Sequence, residues 1–279
     1  MKFRAALIQM RSGRDMAGNF SDAGDLIRAA HAAGARFVTT PEMTNILEPD
    51  RPRLRGLARL EDEDQSVRGF AALASELGVW LNIGSLALKG ESGKLVNRSL
   101  LFTPGGEVAA RYDKIHLFDV DLPSGDRLRE SEAYDGGSRL AMAETPMGRL
   151  GLTICYDVRF PAVYHALAIK GCGIITVPSA FTVPTGEAHW HVLLRARAIE
   201  TGSFILAAAQ GGVHESGRST FGHSLAVTPW GEVLAEGGTE PEMLTFEIDT
   251  KLIDEARSRI PVLRHGRRFA LNVPPAVAT

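Results

Sequence analysis

Cys155 stands at the end of the apolar run Arg149-Leu150-Gly151-Leu152-Thr153-Ile154, and Arg159-Phe160-Pro161 follows where a helix can open, with proline suited to the first helical turn. A strand–turn–helix bend of this kind presents a nucleophile at a sharp turn beside backbone N–H groups that can hold an oxyanion. From position alone, Cys155 reads equally as a nucleophile or as a buried packing residue. Cys172, between Gly171 and Gly173 ahead of an apolar run, reads as packing. A thiol with a pKa near ~8.5 is only slightly ionised at neutral pH, so nucleophilic use of Cys155 requires a base or a positive charge. His116, His165, His189 and His223 are available as bases, but none lies in a local signature that favours it. Glu42 follows the apolar run 37–40 through Pro41, at the C-terminal end of a strand, where open α/β folds place their sites. Lys114 follows a strand-like run, 108–112. Taken singly, these two read as surface charges.

Other chemistries lack their motifs. His189 and His191 lie two apart at a predicted helix start, so they point in different directions and make a poor metal pair. The sequence contains no His-Glu-x-x-His, no His-x-Glu with a downstream Cys-x-x-Cys, and no Walker or Gly-x-Gly-x-x-Gly phosphate loop. Neither a metal nor an organic cofactor is expected.

The elements that must position these residues follow from periodicity. Runs 4–10, 37–40, 80–88, 95–103, 149–154, 173–177, 204–209, 224–227, 232–235 and 243–248 read as strands, and 19–33, 65–77, 161–170 and 187–201 as helices. Thr185 is the expected N-cap of the last helix and Gly202 its C-terminal stop. Thr103-Pro104-Gly105-Gly106, Thr145-Pro146-Met147-Gly148 and Thr228-Pro229-Trp230-Gly231 repeat hairpin-turn chemistry. The polar segment 117–137 reads as a long structureless loop, a kind that is usually functional or mobile. Strands in mixed order with helices between many of them predict an α/β fold of two packed sheets covered by helices, in a single domain over 1–279.

Composition removes whole classes of partner. The chain of 279 residues carries 31 Lys+Arg against 33 Asp+Glu, a formal net charge of −2, and so has no field to attract nucleic acid or an anionic membrane. The initial run Ala5-Ala6-Leu7-Ile8 is too short for a signal-peptide core, and the uncharged stretch 171–186 contains two prolines and cannot be a membrane helix. With 2 cysteines in a chain of this size, a reducing, cytoplasmic setting is expected.

Three segments together carry a resemblance. Val38-Thr39-Thr40-Pro41-Glu42, Arg111-Tyr112-Asp113-Lys114-Ile115-His116-Leu117-Phe118 and Gly151-Leu152-Thr153-Ile154-Cys155-Tyr156-Asp157-Val158-Arg159-Phe160-Pro161 resemble, in order, the Glu, Lys and Cys motifs of the nitrilase superfamily of carbon–nitrogen hydrolases. Arg129-Glu130-Ser131, Pro178-Ser179-Ala180-Phe181-Thr182, Thr185-Gly186-Glu187-Ala188-His189-Trp190, Arg195-Ala196-Arg197-Ala198-Ile199-Glu200 and Ala207-Ala208-Ala209-Gln210 are most similar to its deaminated-glutathione amidase branch, which neighbours the ω-amidases.

The resemblance implies a four-layer α-β-β-α sandwich, commonly paired as a homodimer, with a C-terminal segment 260–279 that crosses to a neighbouring subunit. It implies Glu42 as general base, Lys114 as transition-state stabiliser, Cys155 as nucleophile, Glu130 as a second acid and the Tyr156 backbone N–H as an oxyanion donor. Arg159, Ser179 and Thr182 fall where the branch contacts its substrate, a small amide bearing a carboxylate. The implied reaction takes deaminated glutathione to 2-oxoglutarate and cysteinylglycine through a thioester. The alternatives are an ω-amidase acting on 2-oxoglutaramate, another amidase or carbamoylase of the superfamily, and a non-catalytic binding member of the fold.

Overall fold

The computed structural model describes residues 1–121, 125 and 127–270. Along the strand Lys2–Gln9, Ala5 and Leu7 pack into the core shared with a second sheet, while Ala6 and Ile8 pack against the helices Met16–Ala32 and Gln65–Leu77. Alternation with period two therefore buries both faces of the strand and sets two of the layers.

Among the described residues the first sheet has seven strands. Lys2–Gln9, Phe37–Thr39 and Trp80–Lys89 run parallel, with Glu242–Asp249 antiparallel on one side and Leu95–Phe102 and Val108–Asp113 antiparallel on the other. The second sheet has six strands and the same plan. Gly148–Leu152, Ile174–Thr176 and Phe204–Ala207 are parallel, flanked by Ala141–Thr145 on one side and by Leu225–Val227 and Val233–Glu236 on the other. Parallel neighbours need crossover connections. In the second sheet these are the helices Pro161–Ile169 and Val183–Thr201, whose Val163, Leu167, Trp190 and Leu194 cover its outer face. The result is the four-layer α-β-β-α sandwich.

Local chemistry explains the boundaries. Asp15 and Asp64 cap their helices by accepting from Ala17 and Gly18, and from Ser66 and Val67, through backbone N–H groups. The three Thr-Pro turns all join antiparallel neighbours, with Gly106, Gly148 and Gly231 at φ 87°, 109° and 88°.

Two expectations need correction. The helix expected over 187–201 begins at Val183, with Thr182 rather than Thr185 at the N-cap. Pro184 sits in the first turn, where the missing N–H would have no helical partner in any case, and the Thr185 hydroxyl instead meets that of Thr182 at 2.8 Å. The segment 117–137 is not structureless: Asp119–Asp121 pairs antiparallel with Arg127–Arg129, a single 3-10 turn spans Glu130–Glu132, and Tyr134–Asp135 adds to the first sheet. Its strands are short and polar, so they lack the alternation that marks a strand. Of the expected C-terminal segment, Val262–His265 form one helical turn and residues 271–279 lie outside the described residues. No helix among the described residues is long and apolar enough to cross a membrane.

Candidate active site

Glu42, Lys114 and Cys155 arrive from three strand ends on two sheets. After Phe37–Thr39 the chain turns at Thr40-Pro41. Gly84 N donates to Thr40 Oγ1 at 3.0 Å, and Ser85 N donates to Pro41 O at 3.1 Å. A Cβ at Gly84 would lie 2.0 Å from Thr40 O and 2.4 Å from Pro178 Cβ, so only glycine allows the two sheets to close at this point. Lys114 leaves Val108–Asp113 with its N–H on Asn97 O at 2.9 Å. Cys155 N donates to Pro178 O at 2.9 Å, and its φ of 48° is left-handed, the strained turn expected of a nucleophile elbow.

Asp157 locks the Lys114 and Cys155 segments together. It is fully buried, accepting from Tyr112 Oη at 2.6 Å and Ile154 N at 2.9 Å, while His116 contributes its backbone N at 3.2 Å and Nδ1 at 2.7 Å. The His116 ring stacks on Phe160 at 3.5 Å between centroids.

Lys114 Nζ donates to Glu42 Oε1 at 2.9 Å and to Glu130 Oε2 and Oε1 at 2.8 and 3.1 Å. Asn97 Nδ2 donates to Glu42 Oε1 at 2.8 Å and to Glu130 Oε1 at 3.2 Å, Ala180 N donates to Glu42 Oε2 at 2.9 Å, and Phe118 N to Glu130 Oε2 at 2.7 Å. The Cys155 thiol lies against the Glu42 carboxylate. Burial pushes Glu42 toward its neutral form, but the Lys114 charge together with hydrogen bonds from Lys114, Cys155 and Asn97 outweighs this and holds the carboxyl below its ordinary range. Burial also works against the Lys114 charge, and the two carboxylates override it, keeping the ammonium well above its ordinary value. Burial, reinforced by the Glu42 charge, pushes the Cys155 thiol up. The resting site is therefore carboxylate, ammonium and neutral thiol.

These groups open on a cavity of about 660 Å³, whose wall also includes Tyr156, Phe181 and Thr182. A separate hollow of about 470 Å³ beside Ile199, Trp230 and Ile260 contains none of them. The carbon-nitrogen hydrolase pattern matches residues 4–258. The chain belongs to the carbon-nitrogen hydrolase family. It is 42% identical over 272 residues to the deaminated glutathione amidase of Yersinia enterocolitica, covering 96% of this chain and 94% of that one, and 38% identical to that of Bos taurus, covering 94% and 81%. The crystal structure of the Caenorhabditis elegans NitFhit protein superposes with a TM-score of 0.90 at 37% identity, covering 95% of this chain and 65% of that one.

In this carbon-nitrogen hydrolase, Glu42, Lys114, Glu130 and Cys155 meet in one cavity, and Tyr156 lies in the opening turn Cys155–Arg159, where early N–H groups are not used by the helix itself. Thr182 lines the wall; Arg159 and Ser179 do not. Ser179 is fully buried, its hydroxyl donating to Val177 O at 3.0 Å. The Arg159 guanidinium packs on the Phe181 ring at 5.5 Å and sits 3.3 Å from His189 Nδ1. Sequence reasoning missed Asn97 and Gly84; each stands among other polar or small residues of the hairpin, Asn97 before Arg98-Ser99 and Gly84 before Ser85, so neither stands out. It also gave no role to Gln210, whose Nε2 donates to Glu42 O at 3.0 Å. Among the described residues, the one group of side chains spaced to ligate a metal is His191, His223 and Glu236, with donor atoms within 4.8 Å of one another. It shares no residue with the cavity.

Proposed function

We propose that this carbon–nitrogen hydrolase cleaves a linear amide through a thioester on Cys155, with deaminated glutathione as substrate and 2-oxoglutarate and cysteinylglycine as products. The observation that carries the chemistry is the Lys114 ammonium between Glu42 and Glu130, with the Cys155 thiol beside the same Glu42 carboxylate. The names of the relatives at 42% and 38% identity support the substrate.

Glu42 takes the thiol proton as sulfur attacks the amide carbon. The oxyanion is held by Lys114 and the Tyr156 N–H; loosening the longest Lys114 contact, 3.1 Å to Glu130 Oε1, frees a proton for it. A preorganised donor of this kind contributes roughly 3–4 kcal/mol. Glu42 then protonates the leaving amine, the C–N bond breaks, and a thioester remains. Water attacks with Glu42 as base, the C–S bond breaks, and the thiol regains its proton. Glu130 keeps Lys114 charged and oriented. The exposed apolar Val192, Ile199, Trp230 and Ile260 support assembly as a homodimer, which light scattering checks.

The substrate test offers deaminated glutathione and 2-oxoglutaramate separately. Preferential release of cysteinylglycine supports the proposal, whereas ammonia release from 2-oxoglutaramate alone makes the protein an ω-amidase.

A further inference from the structure

The cavity wall carries four cations, and three of them are neutralised. Lys114 meets Glu42 and Glu130, Arg51 meets Glu132, and Arg129 meets Asp121 at 2.7 Å. The fourth, Arg218, has no carboxylate partner among the described residues; its recorded hydrogen bond runs from Nη2 to Ala180 O at 3.1 Å. The cavity's own acids cannot serve it. Glu42 and Glu130 are committed to Lys114, and Glu48 to Arg14 and Arg53 at 2.8 and 3.1 Å.

We propose that Arg218 is the receptor for a substrate carboxylate and makes the cavity selective for anionic amides. The inference rests on the amidase reading above and adds the residue that chooses among amides. A guanidinium offers a planar fork of donors that matches a carboxylate with two parallel bonds, and its charge is fixed at any working pH.

The position of Arg218 is set by the body of the protein. It ends the turn between the paired strands Gly211–Val213 and Ser219–Phe221, and its backbone O accepts from His214 N at 2.9 Å. His214 is buried, with Nδ1 2.9 Å from Ser12 O and Nε2 2.6 Å from Thr220 Oγ1. Phe221 N donates to Phe181 O at 2.9 Å, and Thr182 bridges Thr220. Arg218 also grips Ala180, the residue whose N–H holds Glu42 Oε2. A carboxylate gathered by Arg218 is thereby presented beside the base and nucleophile. Arg159, where the resemblance placed substrate contact, packs on the wall residue Phe181 and is not itself part of the wall.

The test compares Arg218→Gln, Arg218→Lys and Arg159→Gln on three substrates: butanamide, which is uncharged, succinamate, with a carboxylate on the acyl half, and N-butanoylglycine, with one on the amine half. Arg218→Gln is expected to lower kcat/KM for at least one anionic substrate by about 10- to 100-fold, chiefly through KM, as loss of a charged hydrogen-bond partner does. The affected substrate identifies the half that Arg218 holds. Butanamide turnover should change by less than about threefold, and Arg218→Lys should restore part of the loss. Equal loss on all three substrates, or selective loss in Arg159→Gln alone, would overturn the proposal. If the unaltered protein hydrolyses none of them, turnover of deaminated glutathione tests the amidase reading separately. Calorimetric binding of 2-oxoglutarate then decides the carboxylate site: weaker binding by Arg218→Gln supports it, and unchanged binding refutes it.

Discussion

Glu42 and Lys114 form an ion pair at 2.9 Å with side chains only 6% and 3% exposed. A buried pair of this kind seldom adds net stability, because desolvation of both charges offsets their attraction. Its retention here makes chemical sense. Each charge fixes the ionisation of the other, leaving a carboxylate able to accept a proton and an ammonium able to meet an oxyanion.

Removing the ammonium should cost both rate and stability. Lys114→Met is expected to lower kcat by about 100- to 1,000-fold and to destabilise the fold by roughly 3–5 kcal/mol, because Glu42 and Glu130 are left facing each other without a counter-charge. Steady-state kinetics and urea unfolding measure the two effects separately.

Glu130→Gln should be milder. The ammonium keeps Glu42 and loses one of two neutralising charges, so kcat should fall by about 10- to 100-fold with little change in KM. A wild-type kcat in this variant would show that Glu130 only shapes the loop.

The pH dependence follows from the directions of the shifts. Glu42 is held below its ordinary value of 4.5, so its contribution to stability is present above that value and is lost as pH falls through the depressed one. Lys114 is raised above 10.5, so its contribution is present below that value and is lost as pH rises through the elevated one. With the thiol also raised, kcat/KM should form a plateau across neutrality. An inflection in the histidine range would implicate a different base. In Glu42→Gln, thiolate absorbance should appear at lower pH than in the unaltered protein, since the carboxylate charge helps hold the thiol neutral, although hydrolysis is lost.

Periodicity puts Glu42, Lys114 and Cys155 each after a strand-like run, but taken singly the two charges read as surface residues and the thiol as packing no less than as nucleophile; only the resemblance of the three segments, in order, joins them in one site. The last long helix starts at Val183 rather than at 187 because Pro184 fits its first turn, where the missing N–H has no helical partner in any case. The hairpin of Asp119–Asp121 with Arg127–Arg129 was missed because ion pairs between its charged side chains, not apolar alternation, accompany its pairing. Asn97, Gly84 and Arg218 are isolated positions whose partners lie far away in the chain, and a one-residue signal has no periodicity to reveal it.

Asp157 offers a test of how the site is assembled. In Asp157→Asn one carboxylate oxygen becomes an NH2 group facing donors, which should cost about 2–4 kcal/mol of stability. Because Asp157 ties Ile154 to Tyr112 and His116, kcat should fall as well, by more than about tenfold. Urea unfolding alongside turnover checks both; unchanged stability would mean that the four contacts do not act as a staple.

The central claim is tested most directly by quenching a turnover mixture in acid and measuring the mass of the peptide that carries Cys155. The account predicts an adduct equal to the acyl half of the substrate, held as a thioester and absent from Cys155→Ala, which should be inactive. No adduct on Cys155, together with a wild-type rate in Cys155→Ala, would contradict it.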